Sequence, residues 1–240
     1  MKTTVRIAAL VLATAVTPGC TAQADQATDK LKSTLQARLG EVTVKSIEKS
    51  PIVGLYEVNI GSQIVYSDVT GDYMLLGDLV DTKAHKNLTE MRMAEINKVD
   101  FSSLPFNNAI KYVKGSGARK IAVFSDPNCL YCKRFESTLQ SIDNITVYTF
   151  LYPVLTSDSM VKSKAVWCAS DRVKSWENWM VGRQPPKGTG NCDTSALEKN
   201  LALGRKLNVT GTPTIILNDG TRLLGGVSAS QLNTALAAVK

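Results

Sequence analysis

The sequence predicts an α+β protein with a small N-terminal domain, a helical linker and a larger C-terminal domain. Up to about residue 85, one helical segment precedes several short β-rich runs, whereas strand-like and helix-like segments alternate from Lys120 onward. The chain of 240 residues also exceeds one typical domain. We therefore predict an export signal at 1–24, domains at 25–85 and 117–240, and a helical linker at 86–116.

The first 24 residues have the pattern of a secretory signal peptide. Lys2 and Arg6 precede the apolar run IAALVLATAV, which is too short to span a bilayer, and AQA ending at Ala24 fits a cleavage site. A buried hydrophobic helix is the alternative interpretation. TPGC contains a possible lipidation site at Cys20, but the usual preceding aliphatic residue is missing, so lipid attachment is less favoured than simple cleavage.

Charge and cysteine count narrow the classes of function. The 28 Lys and Arg exceed the 21 Asp and Glu, giving +7, but the basic residues are scattered, which predicts a solvated cationic surface and no nucleic acid binding. Cleavage after Ala24 would leave Cys129, Cys132, Cys168 and Cys192. An even number in an exported chain indicates two pairs, although the count alone allows three connectivities.

In the N-terminal domain, one predicted helix precedes four predicted strands. DQATDKLKSTLQARLG carries Leu31, Leu35 and Leu39 at helical spacing, and Gly40 ends it. Turn residues separate the β-rich runs VTVKSI, GLYEVNI, QIVYSD and DYMLL. A unit of about 60 residues is marginal by itself, so we expect it to pair with a second copy.

The linker and the C-terminal domain follow. NLTEMRMAEINK predicts a helix with Asn87 as N-cap, and NNAIKYVKGSG is interpreted as polar and partly helical. In the C-terminal domain, we first predict a strand, a helix and a strand (KIAVFSD, CLYCKRFESTLQSI, ITVYTFLYP). A helical region from Ser159 to Val181 and a helix near Ser195 to Leu207 follow. The domain ends in two predicted strands (TPTIILN, TRLLGG) and the helix SASQLNTALAAV. This order of βαβ, helical insertion and ββα is that of a thioredoxin fold.

The pair Cys129 and Cys132 in SDPNCLYCKRF has three possible roles. A structural zinc site needs four converging ligands, but only one CxxC is present and His85 lies in the other predicted domain, so zinc is not favoured. A reactive CxxC pair exchanges disulfides without a metal or an organic cofactor, so neither is expected. A disulfide that closes two intervening residues would constrain the unfolded chain little. A strand-to-helix junction, by contrast, places Cys129 where the helix dipole favours its thiolate, with Cys132 shielded behind it beside Phe135.

Two further features complete the candidate site. A bridge between Cys168 and Cys192 would close a loop of about 25 residues and be worth roughly 3–4 kcal/mol, so these two are predicted to be structural. TGTPT opens a predicted strand, and Thr212-Pro213 there is an edge-strand trans proline in the simplest interpretation. A cis bond would instead present the backbone of Thr212 beside Cys129 to an extended substrate.

The motifs SDPNCLYCKRFE, KAVWCASD, NCD, LNVTGTPTIILNDGTRLLGG and DYMLLGDLVD resemble periplasmic disulfide isomerases of the DsbC/DsbG type. The resemblance covers nearly the whole chain after the signal. It implies a cystatin-like dimerisation domain, a helical linker and a thioredoxin-like domain. It also implies a periplasmic homodimer whose V-shaped cleft accepts misfolded or misoxidised exported proteins, and a membrane reductase of the DsbD type as electron donor.

The resemblance also implies residue roles. Cys129 would be the nucleophile, Cys132 the resolving cysteine, and Cys168 with Cys192 the structural disulfide. Substrate binding would fall to the residues beside the nucleophile, namely Leu130, Tyr131, Thr212 and Pro213, with Thr212-Pro213 as the cis-proline element. Leu130 departs from the Gly of the isomerase branch and from the Pro of the DsbG branch.

The leading hypothesis is a thiol-disulfide isomerase that attacks wrong disulfides through Cys129. A DsbG-like reductase of oxidised single cysteines, with chaperone activity, would use the same opening step because a sulfenic acid also reacts with a thiolate. A holdase chaperone with dispensable thiols would keep its activity without Cys129. A structural zinc module would lose its fold with a chelator.

Overall fold

The computed structural model describes residues 20–61, 63–188 and 190–239. Most of the predicted signal at 1–24 therefore lies outside the described residues. The chain divides into two compact units between Met93 and Ala94. The helices and strands of each unit are numbered in chain order.

The first unit combines one long helix with a small antiparallel sheet. Helix α1 spans Cys20–Leu39, so it begins before the predicted start at Asp25. The strands are β1 (Ser46–Lys49), β2 (Leu55–Asn59), β3 (Ile64–Asp68) and β4 (Met74–Leu75), paired in the order β1-β2-β3-β4. One helix and four antiparallel strands are what the sequence predicts.

A leucine stripe on α1 forms the core of this unit. Leu31 and Leu35 are buried against Val44, Val58 and Val65. These leucines are four residues apart, so both fall on the same face of the helix. The predicted helical spacing is therefore confirmed as the buried face.

The first unit ends in a hairpin and in the beginning of a helix that crosses the boundary after Met93. Strands β5 (Val80–Asp81) and β6 (Lys86–Asn87) form a hairpin that the sequence analysis does not predict, and helix α2 spans Leu88–Ile96. Asn87 caps this helix as predicted, because its Oδ1 accepts a hydrogen bond from the Glu90 N–H at 3.0 Å.

The second unit is built on a five-stranded sheet in the order β11-β10-β8-β9-β7. The strands are β7 (Ile110–Lys114), β8 (Arg119–Ser125), β9 (Ile145–Leu151), β10 (Thr214–Leu217) and β11 (Arg222–Leu224). Only β8 and β9 pair in parallel. The parallel pair joined to the antiparallel β10 and β11 is the thioredoxin-like topology predicted from the sequence.

Helices cover this sheet and complete its core. They are α3 (Leu130–Leu139), α4 (Ser157–Trp167), α5 (Arg172–Met180), α6 (Ser195–Lys206) and α7 (Ala229–Ala238). The face of α3 that carries Phe135 and Leu139 packs with Ile142, Val123 and Leu232 in one buried cluster. This cluster anchors α3 to the sheet and so fixes the direction of its N-terminal end.

The interpretation of NNAIKYVKGSG as partly helical holds only at its start, where Phe106–Asn108 form a short 3₁₀ helix. Residues 110–114 form strand β7, which pairs antiparallel with β9 along the edge of the sheet. Its side chains alternate between more buried and exposed, as in a strand with one face on a core. The predicted linker at 86–116 therefore includes a strand of the second unit, while the other predicted domain bounds stay predictions.

The predicted helical region from Ser159 to Val181 is two helices. The break falls between α4 and α5, where the Asp171 side chain accepts a hydrogen bond from the Lys174 N–H and caps the new helix. Within the residues that the structure describes, none of the helices has the length and apolar character needed to cross a membrane.

Candidate active site

A buried carboxylate organises the turn between β8 and α3. Asp126 Oδ1 accepts hydrogen bonds from the Asn128 N–H at 2.7 Å and from Ser159 Oγ at 2.8 Å. Its Oδ2 accepts from the N–H groups of Val154 at 2.8 Å and Leu155 at 3.0 Å. Four donors compensate the burial of the charge. The turn is thereby tied to the segment after β9 and to α4.

Cys129 is the N-cap of α3 and lies just beneath the surface of this turn. Its Sγ accepts a hydrogen bond from the Cys132 N–H at 3.3 Å and donates its proton to the Thr212 carbonyl oxygen at 3.2 Å. Only 4% of Cys129 is exposed, whereas Leu130 and Tyr131 beside it are 50% and 58% exposed. The Cys132 N–H, which has no partner within the helix, thus points at the Cys129 sulfur. The residues next to this sulfur in the chain have exposed apolar side chains.

Cys132 lies behind Cys129 in the first turn of α3. It is completely buried. Loss of solvent raises the pKa of its thiol to about 12, although the Ser125 side chain and the Asp126 backbone oppose this rise. Both cysteines are free thiols. Their environments differ, because the Cys129 sulfur lies between the Cys132 N–H and the Thr212 carbonyl oxygen next to exposed side chains, whereas Cys132 is held protonated in the core.

The Thr212-Pro213 segment lies directly beside Cys129. Its peptide bond is cis, and the Pro213 carbonyl accepts a hydrogen bond from the Gly225 N–H at 2.9 Å. Gly226 lies close to the CxxC turn, since a Cβ added there would be 3.2 Å from the Tyr131 carbonyl oxygen. The segments 212–213 and 225–226 therefore border the turn on one side.

Cys168 and Cys192 form a disulfide. Cys168 is the C-cap of α4 and packs at the edge of the apolar cluster that contains Cys129 and Cys132. Trp167 Nε1 donates a hydrogen bond to the Asp193 carbonyl at 3.0 Å and holds the same loop. This pair of sulfurs is bonded and is not part of the thiol site.

A second buried carboxyl lies on α3, one turn after Cys132. Glu136 Oε1 accepts a hydrogen bond from Trp176 Nε1 at 2.7 Å, while its Oε2 has no hydrogen-bond partner within the described residues. Desolvation raises the pKa of Glu136 to about 7, and the Glu177 charge adds to the rise. Burial and the nearby Glu136 also raise the pKa of Tyr112.

The structure thus brings six predicted residues to one place, namely Cys129, Cys132, Leu130, Tyr131, Thr212 and Pro213. The sequence analysis assigns no role to Asp126, Glu136 or Trp179. Asp126 directly follows a buried strand and precedes Pro127, and this Asp-Pro turn signal is visible in the sequence. Within the described residues, no three His, Cys, Asp or Glu side chains are grouped to hold a metal ion.

Two family models match the chain. Residues 106–240 match a thioredoxin-like domain, and residues 21–90 match the disulfide bond isomerase protein N-terminal domain. The first match covers the five-stranded sheet, and the second covers α1 to β6. Both parts of the fold class predicted from the sequence are therefore confirmed.

Named relatives extend over both units. The chain is 43% identical over 213 residues to a probable thiol:disulfide interchange protein DsbC of Bordetella parapertussis, covering 88% of this chain and 75% of the relative. It is 29% identical over 213 residues to the thiol:disulfide interchange protein DsbC of Escherichia coli, covering 85% and 84%. A disulfide interchange protein from Neisseria gonorrhoeae is 35% identical with a TM-score of 0.53, over 56% of this chain and 96% of that structure.

The thioredoxin-like fold, the CxxC at the start of α3 and these relatives define an enzyme of the thiol-disulfide oxidoreductase class. Within that class, the chain belongs to the DsbC family of thiol:disulfide interchange proteins. The resemblance stated from the sequence motifs is confirmed.

Proposed function

We propose that the protein rearranges incorrect disulfides in exported proteins and that Cys129 is its nucleophile. The observation that carries this proposal is the contrast between the surroundings of the two thiols. Cys129 is 4% exposed and lies beside the exposed Leu130 and Tyr131 with a helix amide aimed at its sulfur, whereas Cys132 is completely buried behind it. An isomerase needs a reactive thiol that reaches substrates and a second thiol that intervenes slowly.

The proposed reaction begins when the Cys129 thiolate attacks one sulfur of a substrate disulfide. A Cys129–substrate disulfide forms, and the other substrate sulfur leaves as a thiolate. That thiolate attacks a second substrate disulfide, and a later substrate thiolate attacks the substrate sulfur of the mixed disulfide, which releases the Cys129 thiolate. No electrons are gained or lost overall.

Cys132 provides the slower exit. Its thiolate attacks Cys129 Sγ, which releases the substrate with two thiols and leaves a Cys129–Cys132 disulfide. Burial raises the pKa of Cys132 well above its ordinary value, so only a very small fraction of this thiol is ionised at pH 7. The mixed disulfide therefore persists long enough for rearrangement. Each such exit oxidises the enzyme by two electrons, so the proposal includes a DsbD-type membrane reductase as donor.

Substrate binding is proposed at the border of the CxxC turn. Leu130 and Tyr131 offer exposed apolar surface to a partly folded chain. Thr212 and Pro213 flank the sulfur from the other side, and the Thr212 carbonyl already contacts it. An extended substrate strand along this segment would bring its cysteine to Cys129.

A homodimer is proposed through the first unit. Several of its large apolar side chains are exposed, including Val53, Tyr73, Leu75 and Leu76. A small unit with such a surface gains stability by covering it with a second copy. Sedimentation of the protein should give twice the mass of the chain, and a monomer at micromolar concentration would contradict this part of the proposal.

A periplasmic location is proposed from two observations. The N-terminal signal pattern directs export, and the Cys168–Cys192 disulfide fits an oxidising compartment. Fractionation of the expressing cells tests it. The proposal requires a chain shortened at Ala24 in the periplasmic fraction.

The test of function is recovery of native disulfides in a scrambled multi-disulfide protein. The reduced enzyme should restore the native pairing, and Cys129→Ser should abolish the recovery. Cys132→Ala, the matched control, should still rearrange disulfides while accumulating mixed disulfides. Rapid reduction of a simple disulfide without recovery would favour a DsbG-like reductase. Full activity of Cys129→Ser in preventing aggregation, with no recovery by the unaltered enzyme, would favour a holdase.

A further inference from the structure

Trp179 fixes one side of the active-site turn. This residue of α5 donates its Nε1–H to the Pro127 carbonyl oxygen at 2.7 Å, and Pro127 lies two residues before Cys129. One edge of the indole ring is therefore tied to the turn. Side chains that gather on the ring border the nucleophile.

Two lysines gather at this ring, and an arginine lies near one of them. The Nζ atoms of Lys133 and Lys162 lie 3.8 Å and 4.6 Å from the centroid of the Trp179 ring. Arg183, in the exposed loop after α5, is close enough to Lys133 for its charge to act on that ammonium group. Desolvation lowers the pKa of Lys133, and the charges of Arg183 and Lys162 lower it further. Lys133 and Lys162 on the Trp179 ring, together with the nearby Arg183, are named the cationic cluster.

Nearby carboxylates compensate only part of this charge. Lys162 forms an ion pair with Asp158 and donates a hydrogen bond to Asn128 Oδ1 at 3.1 Å. Within the part of the chain that the structure describes, neither Lys133 nor Arg183 has an ion-pair partner. The carboxylate of Asp126 is turned inward to its four donors.

Packing against the ring explains the presence of one cation beside Trp179, but not the three cations of the cationic cluster. A single lysine over a tryptophan is a common stabilising contact. Two ammonium groups on one ring, with a guanidinium beside them, repel each other and raise the free energy of the folded state. An anion from outside the chain would relieve that repulsion.

The cluster is placed to meet a substrate chain. The Lys133 N–H donates to the Cys129 carbonyl at 3.1 Å, so Lys133 is one helical turn beyond the nucleophile. Asn128, which contacts Lys162, directly precedes Cys129 in the chain. An extended chain advances about 3.3 Å per residue, so a side chain within a few residues of the attacked cysteine reaches the cluster.

We propose that the cationic cluster binds an Asp or Glu side chain near the cysteine that Cys129 attacks, so that the enzyme reacts faster with acidic cysteine sites. This inference rests on the proposed function, because it assumes that Cys129 attacks substrate disulfides. The contact speeds formation of the mixed disulfide through charge complementarity. It is a specificity contact and takes no part in bond exchange.

The test uses synthetic peptides that carry one cysteine as a disulfide with a thiopyridine. Attack by Cys129 on the peptide sulfur forms the mixed disulfide and releases the thiopyridine, which is followed by its absorbance. The residues beside the cysteine are Glu, Gln or Lys, and both peptide ends are blocked so that the side chain is the only carboxylate. At low ionic strength we expect the Glu peptide to react roughly three- to tenfold faster than the Gln peptide.

Variants assign the preference to the cluster. Lys133→Gln should bring the Glu-to-Gln rate ratio close to one, and Arg183→Glu should reverse the order of the Glu and Lys peptides. Lys174→Gln removes an exposed cation elsewhere on α5 and should keep the ratio. Because the ratio is taken within each variant, a general loss of rate cancels. If Lys133→Gln does not fold, the exposed Arg183 variant decides.

Two failures are distinguishable. Equal rates for the three peptides, or a ratio that neither variant changes, would overturn the proposed acidic site and leave the function standing. No thiopyridine release from any peptide would overturn the function itself, and this inference with it. A preference lost equally in Lys174→Gln would show only general attraction to a basic protein and would also overturn the site.

Discussion

Glu136→Gln tests the electrostatics under the active-site helix. The carboxyl is fully buried on α3, bonded to Trp176 through one oxygen, with Tyr112 of β7 and Glu177 of α5 as the nearby titratable groups. The amide of Gln retains an oxygen that accepts from Trp176 Nε1. The substitution therefore removes ionisation while keeping the hydrogen bond.

The sign of the effect follows from the raised pKa. Below pH 4.5, the folded and unfolded chains both hold the Glu136 proton. As the pH rises toward 7, the unfolded chain releases this proton while the folded chain keeps it, so folding loses stability. A rise from 4.5 to about 7 corresponds to about 3 kcal/mol at 1.36 kcal/mol per pH unit. We expect Glu136→Gln to gain about this much relative to the unaltered protein between pH 4 and pH 8.

Denaturant unfolding at several pH values measures this difference. All three tryptophans, Trp167, Trp176 and Trp179, lie in the second unit, so their fluorescence reports its unfolding. Both proteins carry Cys129→Ser and Cys132→Ser, which keeps the redox state constant.

The control for this experiment is Glu177→Gln. It leaves the acid at position 136 but removes a charge that raises its pKa, so it should shrink the loss without abolishing it. A difference between Glu136→Gln and the unaltered protein that is constant from pH 4 to pH 8 would refute the reasoning.

Three further predictions concern the site and its support. In stopped-flow experiments, release of substrate by Cys132 should accelerate about tenfold per pH unit from pH 7 to 9. The reason is that a thiol with a pKa of about 12 is mostly protonated in this range, so its thiolate fraction rises about tenfold per unit. A rate that reaches a plateau between pH 7 and 9 would contradict this prediction. Asp126→Asn should lower the free energy of unfolding in urea by about 2–3 kcal/mol and should slow disulfide exchange with peptides. The control Asp143→Asn, at an exposed position, should change neither quantity. Equal losses in both variants would refute the role of Asp126. Replacing Cys168 and Cys192 by Ala should cost about 3.5 kcal/mol by loop entropy, and unchanged unfolding would refute that.

Local pattern predicts much of this fold. The leucine spacing of α1, the N-cap at Asn87 and the buried face of α3 all depend on residues within one or two turns of each other. Strand β7 is harder to predict, because its exposed face carries Lys111 beside the apolar Val113 and its more buried face ends in Lys114, so apolar and polar residues do not alternate cleanly. The hairpin of β5 and β6 has two residues per strand, which is too short for a periodic signal.

In the candidate site, too, some features can be predicted from the local sequence and others cannot. Cys129 and Cys132 are recognisable from their spacing at a strand-to-helix junction. The acceptor role of Asp126 is not, because its donors at 154, 155 and 159 come from a later part of the chain. Likewise, Lys133 meets Trp179 across 46 positions, and only the packing of α3 against α5 brings them together.

The most direct test of the central claim is to identify the sulfur that captures a substrate. Reduced Cys132→Ala is mixed with a protein of known disulfides, quenched with acid and mapped by mass spectrometry. We predict one covalent link to the substrate, through Cys129, and none in Cys129→Ser. A link through Cys168 or Cys192, or equal capture by Cys129→Ser through Cys132, would contradict the assignment of Cys129 as the attacking thiol.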